Sequence, residues 1–311
     1  MKSNIFLSFI LLFFHHFSFS QSQDLDKTIT VDGRTREYMI HLPSSFNNSS
    51  KLPIIFAFHG GGGEYKKTIR YYNLNGLADD NGFIVVYPNA INKAWSMSGV
   101  SSRVRNIDNN VDDVKFISTL LDNLVANYKV DDKHVFCTGI SRGGIFSLYL
   151  AWQLSDRIKA IAPVCASIPH AISGAYVFNH PTSVLLINGT EDPLINYNGG
   201  PGKLNHRNAE SETAMMVPTE ELINKIVKLN NCHSSAVVTN MPDVDKNDGC
   251  TATDYKYLCD SSLIELIKVN NGGHTWPGAV QYLPKMIIGK VCRDFNAEEK
   301  IFEFFKNLSK L

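Results

Sequence analysis

The sequence predicts an α/β protein with a doubly wound, mostly parallel sheet and helices on both faces. Short apolar segments mostly alternate with helical patterns, which is typical of parallel βαβ units. Several of these segments are continuous apolar runs, as expected for strands that are covered on both sides. The predicted strands are residues 37–42, 52–58, 83–87, 134–138, 160–164, 183–188 and 263–269.

Three segments carry helical patterns, in addition to residues 145–154. The first begins at Asp112-Asp113, where acidic side chains favour a helix amino end and apolar residues follow at helical spacing. We interpret Asp112 and Asp113 mainly as helix-capping residues, with a catalytic role as the minor alternative. The other two predicted helices span residues 219–229 and 297–307, and the last of these directs most of its apolar side chains towards the core.

The amino-terminal 20 residues are typical of a cleavable signal peptide. A basic start is followed by an apolar stretch of about ten residues, and Ser18 and Ser20 are small residues placed before a cut at Gln21. The apolar stretch is shorter than the roughly 20 residues that span a bilayer, which disfavours a membrane anchor. We therefore predict a secreted or periplasmic protein whose residues 21–311 form one α/β domain, a size that one large core can hold.

Charge and composition limit the partners. The chain has 30 basic and 30 acidic residues and a formal net charge of zero, and these residues are interspersed. Neither a nucleic acid nor an anionic membrane is therefore expected as a partner. No Ser/Thr/Pro-rich linker precedes a second folding pattern, so no appended polymer-binding module is expected. The oligomeric state is not predicted.

The most informative segment is residues 134–144, where an apolar strand runs into Gly139-Ile140-Ser141-Arg142-Gly143 and then a helical pattern. Gly-x-Ser-x-Gly also occurs by chance in ordinary turns. The strand before it and the helix after it favour a nucleophile elbow, a sharp turn that presents the serine hydroxyl to a base. Glycines two residues before and after Ser141 provide the clearance that this turn needs. Ser141 is therefore the candidate nucleophile.

A candidate acid and a candidate base follow in the order Ser, Asp, His. Asp192 follows an apolar strand, at the sheet edge where a carboxylate can accept the imidazole N–H. Alone, Asp192 would be interpreted as the start of an Asp-Pro turn, and Glu191 is a competitor for the acidic role. His274 follows the last strand in a glycine-rich loop and is the candidate general base.

A glycine-rich loop, His59-Gly60-Gly61-Gly62-Gly63, follows another apolar strand. In a serine hydrolase, an oxyanion hole combines the backbone N–H of the residue after the serine with one from such a loop. The predicted donors are Arg142 and Gly61. A flexible linker is the alternative, but a linker rarely follows directly on a buried strand. We expect His59 to orient the loop.

The six cysteines divide into two groups. Cys137 and Cys165 lie in or beside apolar strands and are interpreted as core residues. The other four occupy the polar carboxyl-terminal third and could form two disulfides in an oxidising compartment. A zinc site is the disfavoured alternative, because the spacings match no compact metal-ligand pattern. These four are Cys232, Cys250, Cys259 and Cys292.

From about Thr28 onward, the chain resembles the α/β-hydrolases of the secreted polyhydroxybutyrate depolymerase, feruloyl esterase and acetylxylan esterase group. The resemblance rests on four segments beyond the generic triad, of which the last is quite specific to the group. They are Val111-Asp112-Asp113-Val114, Gly139-Ile140-Ser141-Arg142-Gly143-Gly144, Asn230-Asn231-Cys232 and Gly273-His274-Thr275-Trp276-Pro277-Gly278.

The resemblance implies Ser141 as nucleophile, Asp192 as acid and His274 as base. It also favours a Cys232–Cys259 disulfide, which leaves Cys250 and Cys292 as the residual pair. There are two departures from the group. Arg142 replaces the small or amide residue often found after the serine, and the loop after His59 is all glycine. Both affect the expected shape of the acyl pocket but remove no backbone donor.

The expected function is hydrolysis of a carboxylic ester on a plant cell-wall polysaccharide, with feruloyl favoured over acetyl. A hydroxyalkanoate polyester is the second candidate, and a non-catalytic binding protein on a hydrolase fold is the opposing class. No metal or organic cofactor is implied. Three aromatic residues are candidates for substrate binding. Trp276 and Tyr197 are expected beside the site, and Trp95 is expected to line it or to pack.

Overall fold

The computed structural model describes residues 21–47, 49–100, 108, 110–202, 215–233 and 235–310, so the predicted signal peptide lies outside the described residues. The strands are β1 (Gln23–Val31), β2 (Arg34–Leu42), β3 (Leu52–Phe58), β4 (Ile84–Pro88), β5 (Val130–Ile140), β6 (Ala160–Val164), β7 (Ser183–Gly189), β8 (Ala236–Asn240), β9 (Thr251–Tyr257) and β10 (Ile264–Asn270). The helices are α1 (Tyr65–Tyr72), α2 (Leu74–Asn81), α3 (Asp113–Asn127), α4 (Arg142–Gln153), α5 (His170–Ser173), α6 (Thr219–Leu229), α7 (Lys285–Ile288) and α8 (Ala297–Leu308), with a 3-10 turn at Ile91–Lys93.

The strands form one ten-stranded sheet in the order β1-β2-β4-β3-β5-β6-β7-β10-β9-β8. The six central strands, from β4 to β10 in this order, pair in parallel. Two antiparallel strands flank them on each side. Because the central strands run in one direction, their carboxyl ends meet at one edge, where ligands bind in open α/β sheets.

Alternating side chains of each central strand pack into two separate cores. In β7, Val184 and Leu186 join the core that contains α3, α4 and α6, while Leu185 and Ile187 join the core that contains α1, α2 and α8. Successive strand residues point to opposite faces, so a continuous apolar run is buried on both. The predicted doubly wound sheet with helices on both faces is confirmed.

The first two strands form a hairpin with a two-residue turn. Asp32 and Gly33 both have positive φ values, 50° and 72°, between the paired residues Val31 and Arg34. This backbone matches the twist of the flanking strands, and Asp-Gly is a preferred sequence for it. The hairpin adds β1 to the sheet edge, a strand that the apolar pattern did not predict, because most of its side chains are exposed.

The long connection between Asp192 and the last strand contains a predicted helix and two strands that the apolar pattern did not predict. The predicted helix over 219–229 is confirmed as α6. The polar residues after it form β8 and β9, which extend the sheet. The exposed residues of β8 include the neighbours Val237 and Val238. This edge strand therefore lacks the alternation of apolar and polar residues from which a strand is predicted.

The two acidic residues at the start of α3 have different roles. Asp112 caps the helix, because its side chain accepts a hydrogen bond from the Lys115 amide at 2.9 Å. Asp113 is buried, pairs with Arg36 at 2.5 Å and accepts a hydrogen bond from the Ser96 amide at 2.6 Å. The capping interpretation is therefore confirmed for Asp112 and wrong for Asp113, whose carboxylate ties α3 to β2.

The cysteines follow the predicted division. Cys137 and Cys165 are buried in the core, and Cys232 is bonded to Cys259. This disulfide joins the end of α6 to the end of β9. The residual pair, Cys250 and Cys292, is not bridged: both are buried thiols, and their side chains contact each other. No helix among the described residues is long and apolar enough to cross a bilayer.

Replacing Cys232 and Cys259 together by serine is expected to lower the free energy of unfolding by about 3 kcal/mol, because the bridge restricts a long loop in the unfolded chain. Urea denaturation with and without reductant measures this, since reductant should destabilise the wild type and not the double variant. A non-reduced digest of oxidised protein should contain the linked peptides. Four free thiols among Cys232, Cys250, Cys259 and Cys292 would contradict the prediction.

Candidate active site

Ser141 lies in a strained turn between β5 and α4. Its backbone has φ 58° and ψ −125°, a conformation that L residues rarely adopt. The Ser141 amide donates to the Val164 carbonyl oxygen (2.9 Å), and its carbonyl accepts the Ile145 amide (2.8 Å), so the turn is tied to β6 and α4. This is the predicted elbow geometry, and it exposes the serine side chain at the carboxyl edge of the sheet.

The glycines beside the serine are required by close backbone contacts. A Cβ atom at Gly143 would lie 2.2 Å from the Phe58 carbonyl oxygen, and one at Gly139 would lie 2.6 Å from the same oxygen. No side chain fits at those distances. The helix after the elbow therefore packs directly on the end of β3, next to the glycine-rich loop.

Asp192 and His274 form a buried pair. The Asp192 Oδ2 atom is 2.7 Å from His274 Nδ1, and the two side chains are 1% and 2% exposed. Asp192 Oδ1 accepts hydrogen bonds from the amides of Leu194 (2.7 Å) and Ile195 (2.8 Å). These amides fix the orientation of the carboxylate, so its second oxygen faces the imidazole and holds a proton on Nδ1.

The structure separates Asp192 from its neighbour Glu191. Glu191 is exposed, while Asp192 is buried against His274. The Glu191 amide donates to the Gly272 carbonyl oxygen (2.9 Å), which orders the turn after β7. Of these two neighbouring carboxylates, Asp192 is the one that contacts His274.

His59 orients the glycine-rich loop, as expected. The Ala90 amide donates to His59 Nε2 (3.1 Å), so the ring proton is on Nδ1 and is donated to the Gly60 carbonyl oxygen (2.8 Å). Burial is the main cause that lowers the pKa of His59 to about 4. A neutral ring is needed here, because a protonated Nε2 could not accept the Ala90 hydrogen bond.

The low pKa of His59 predicts acid sensitivity. Since the folded pKa of about 4 lies below the ordinary 6.5, the unfolded chain binds more protons between these values. The free energy of unfolding should therefore fall as pH decreases from about 6.5 to 4, by up to about 3 kcal/mol from this group. Urea denaturation at pH 7 and pH 4.5 should show a smaller loss in His59→Gln than in the wild type. Equal losses would contradict the prediction.

The remaining amides of the loop have defined positions. Gly62 donates to the Lys93 carbonyl oxygen (2.8 Å), and Gly63 donates to the Gly60 carbonyl oxygen (3.0 Å), so both hold the turn itself. Gly61, the predicted donor, is exposed and lines the same groove as Ser141.

The arginine after the serine does not project into the groove. Its Nε and Nη2 atoms both donate to the Trp95 carbonyl oxygen, at 2.9 and 2.5 Å. Burial lowers the pKa of Arg142 to about 10, and the nearby Asp113 carboxylate opposes this effect. Arg142, the first of the two departures from the group, therefore supports the loop that holds Trp95. The shape of the groove is set by other residues.

Ser141 and His274 line one groove of about 580 Å³. Between them no hydrogen bond is formed in the described part of the chain; such contacts often tighten only in the substrate complex. A larger cavity of about 720 Å³ lies around Ser96–Val100 and Tyr149, away from both residues. The walls of the groove include apolar and aromatic side chains that the sequence did not single out: Tyr71, Leu194, Val280, Tyr282 and Leu283.

The three aromatic residues predicted to bind substrate are buried. Trp95 and Trp276 are 0% exposed and Tyr197 is 4% exposed. Trp95 stacks on Phe146, with ring centroids 4.7 Å apart, and its Nε1 donates to the His59 carbonyl oxygen (2.9 Å). Its packing role is thus the one that the structure supports.

The structure also corrects the substrate contacts that were predicted for Tyr197 and Trp276. The Tyr197 hydroxyl donates to Glu220 Oε1 (3.3 Å), and the ring lies beneath Lys268, on the side of α6 and β10. The Trp276 indole belongs to the core formed by α1, α2 and α8. Neither ring is available to a ligand in the groove, because neighbouring elements cover both.

Three side chains at the site approach a metal-ligand arrangement. Potential ligand atoms of Cys165, Asp192 and His274 lie within 4.8 Å of one another. However, the Cys165 thiol donates to the Thr275 carbonyl oxygen (3.3 Å), and burial raises its pKa well above the ordinary value. A metal needs the thiolate, and the Asp192 oxygens already accept protein N–H groups. These three side chains therefore fit a hydrogen-bonded Asp192–His274 pair better than a metal site.

Comparison with known proteins gives a consistent class. Residues 30–171 match the Esterase family model, described as "Putative esterase". The chain is 26% identical over 286 residues to "Putative esterase NocK" of Nocardia uniformis subsp. tsuyamanensis, covering 89% of this chain and 81% of NocK. It is 27% identical over 180 residues to feruloyl esterase D of Neurospora crassa, covering 54% of this chain and 57% of that relative.

A solved structure shares the fold. The acetyl xylan esterase from Aspergillus awamori superimposes with a TM-score of 0.58 and 15% identity, over 90% of this chain and 98% of that one. The fold, the site and these similarities define a serine carboxylic ester hydrolase with the α/β-hydrolase fold. Its relatives include a feruloyl esterase and a bifunctional acetylxylan esterase/xylanase, which agrees with the feruloyl and acetylxylan esterase part of the resemblance predicted from the sequence.

Proposed function

We propose that the protein hydrolyses carboxylic esters through a Ser141–His274–Asp192 triad. The observation that carries this proposal is the buried pair of Asp192 and His274, 2.7 Å apart, whose imidazole shares a groove with a serine held at φ 58°. A serine in a strained turn beside an oriented imidazole is the arrangement that nucleophilic acyl transfer needs.

The reaction follows from these positions. Ser141 Oγ attacks the ester carbonyl carbon while His274 Nε2 takes the hydroxyl proton, and Asp192 stabilises the resulting imidazolium. The tetrahedral intermediate collapses when His274 returns the proton to the leaving alkoxide, which departs as the alcohol. A water molecule then gives a proton to His274 and attacks the acyl-enzyme, which releases the acid and regenerates Ser141.

The developing negative charge on the carbonyl oxygen needs donors in place. We assign these to the backbone N–H groups of Arg142, at the amino end of α4, and Gly61, in the loop that His59 orients. Donors that are fixed before the reaction stabilise the transition state without reorganisation. The hydrogen bonds of His59 and the two arginine bonds to Trp95 support this rigidity.

The leading substrate class is a feruloyl or acetyl ester of plant cell-wall polysaccharide, with feruloyl favoured. The groove is bordered by the aromatic rings of Tyr71 and Tyr282 and by Leu194, which suit a planar phenolic acyl group. The sequence similarity to a protein named feruloyl esterase D, from Neurospora crassa, supports this substrate class. Action on such a polymer requires export, which the predicted signal peptide would provide.

A hydroxyalkanoate polyester is a second candidate, favoured by one observation. Residues 280–287 expose five large apolar side chains, and three of them also line the groove. An apolar rim of this kind suits an apolar polymer better than a hydrated polysaccharide. The five are Val280, Tyr282, Leu283, Met286 and Ile287.

A substrate panel tests these alternatives with the purified protein. Methyl ferulate, acetylated xylan and short-chain polyhydroxybutyrate are compared by kcat/KM, with p-nitrophenyl acetate as a small activated reference and Ser141→Ala as the blank. Fastest turnover of methyl ferulate supports the leading class, and fastest turnover of the polyester supports the second. Wild-type rates equal to the blank on all four substrates would instead favour a non-catalytic binding protein.

A further inference from the structure

Tyr72, at the end of α1, lies between two parts of the candidate active site. Its hydroxyl donates a hydrogen bond to the Phe58 carbonyl oxygen (2.8 Å) and accepts one from the Ile140 amide (2.8 Å). Phe58 precedes the glycine-rich loop, and Ile140 precedes Ser141. One buried hydroxyl group therefore sets the separation between the oxyanion loop and the nucleophile.

The ring of Tyr72 reaches the third part of the site. It stacks on Trp276 with centroids 4.1 Å apart and planes 10° from parallel, and both side chains are at most 1% exposed. Trp276 follows His274 by two residues. Its indole Nε1 donates to Glu298 Oε2 (2.9 Å), and its amide donates to the Tyr71 hydroxyl (3.1 Å). Hydrogen bonds to α8 and to α1 thus hold the stacked pair in place.

A second tyrosine pair supports the same loop. The Tyr282 hydroxyl donates to the His274 carbonyl oxygen (3.2 Å), and the Tyr282 ring contacts Tyr71 edge-on at 5.4 Å. The histidine backbone is therefore bounded by aromatic groups on two sides. Burial raises the pKa values of Tyr71 and Tyr72, so both hydroxyls stay protonated in the working range of an esterase.

Precise placement matters because Ser141 and His274 come from loops far apart in the sequence. A displacement of about 1 Å at a reacting group can cost about 100-fold in rate. A stacked pair with two saturated hydrogen bonds restricts such displacement, because its rings can neither slide nor rotate without breaking contacts.

We propose that Tyr72 is a positioning residue for acyl transfer: its hydroxyl and its stack on Trp276 hold the oxyanion loop, Ser141 and His274 in register. The proposal rests on the proposed function. It assigns Trp276 to the support of the base, in place of the substrate contact expected from its position in the sequence. The side chains of Tyr72 and Trp276 are at most 1% exposed, so the pair acts through the backbone segments that it contacts.

The kinetic test is Tyr72→Phe, which removes both hydrogen bonds and keeps the stack. We expect kcat for p-nitrophenyl acetate to fall about 10- to 100-fold while KM changes less than about threefold. Active enzyme is counted by covalent labelling of Ser141 with a fluorophosphonate, so that unfolded protein does not contribute. The matched control is Tyr87→Phe, a buried tyrosine in the same core that loses one hydrogen bond, to Asn75 (2.7 Å). Equal changes in the two variants overturn the proposal.

Hydrogen–deuterium exchange gives a readout that does not depend on activity. Tyr72→Phe should accelerate exchange in peptides over residues 136–146 and 270–280. Tyr71→Phe, which removes only the acceptor of the Trp276 amide, should accelerate exchange in 270–280 alone and serves if Tyr72→Phe does not fold. Unchanged exchange in both regions in Tyr72→Phe, or in 270–280 in Tyr71→Phe where Tyr72→Phe does not fold, overturns the proposal. Equal hydrolysis by wild type and Ser141→Ala would overturn the proposed function, whatever the exchange shows.

Discussion

Replacing Ser141 by alanine is expected to lower ester hydrolysis by at least about 10⁴-fold, since it removes the proposed nucleophile. The substitution removes one oxygen atom, and the serine oxygen makes no hydrogen bond among the described residues. The free energy of unfolding should therefore change by less than about 1 kcal/mol. Initial rates with p-nitrophenyl acetate and urea denaturation measure the two quantities.

Ser167→Ala is the matched control for this prediction. Ser167 is buried, and its hydroxyl donates to the Val217 carbonyl oxygen (2.6 Å), outside the groove. This variant should lose stability and keep most of its kcat, which is the reverse of the result expected at position 141. Near wild-type turnover in Ser141→Ala would refute the proposed nucleophile.

Replacing Asp192 by asparagine should lower kcat by about 10³- to 10⁴-fold. The amides of Leu194 and Ile195 both donate to Oδ1, so the oxygen of an asparagine must take that position. Its NH₂ group then faces His274 Nδ1, which must act as an acceptor. The imidazole proton moves to Nε2, and the ring can no longer take the proton of Ser141. The expected loss therefore comes from the wrong tautomer in an intact site.

Glu191→Gln is the control for the acid. Glu191 is exposed, and its backbone alone takes part in the turn, so kcat should remain within about threefold of the wild type. Rates of both variants with p-nitrophenyl acetate decide between the neighbouring carboxylates. A large loss in Glu191→Gln with a small loss in Asp192→Asn would show that the acid has been assigned to the wrong residue.

The stretch between Asp192 and the last strand shows where sequence patterns lose information. Strands covered on both faces, such as β3 and β7, are continuous apolar runs and were predicted with nearly their observed bounds. Strands β1, β8 and β9 lie at the two sides of the sheet and keep polar, exposed residues. Their place depends on the neighbouring strand, which a local apolar pattern does not contain.

The aromatic residues show the same limit within the site. Trp276 lies two residues from His274, and this proximity in the sequence suggested a wall of the groove. Its ring is instead buried against Tyr72 and held by Glu298, partners that lie in two different helices. The groove is lined by Tyr71 and Tyr282, which belong to no recognisable motif. Side-chain direction at a loop is decided by packing, and no spacing rule gives it.

The sequence by itself determined the doubly wound sheet and predicted the turn at Ser141 and the chain order of the proposed triad, because their signals are local: apolar runs, flanking glycines and polar loops directly after strands. Only the tertiary structure showed that Asp192 contacts His274, that Trp95 and Trp276 are buried, and that Asp113 pairs with Arg36. These outcomes depend on contacts between distant segments, such as the Tyr71 hydroxyl and the Trp276 amide, 205 residues apart. Burial and hydrogen bonding across such distances arise only when the chain has folded.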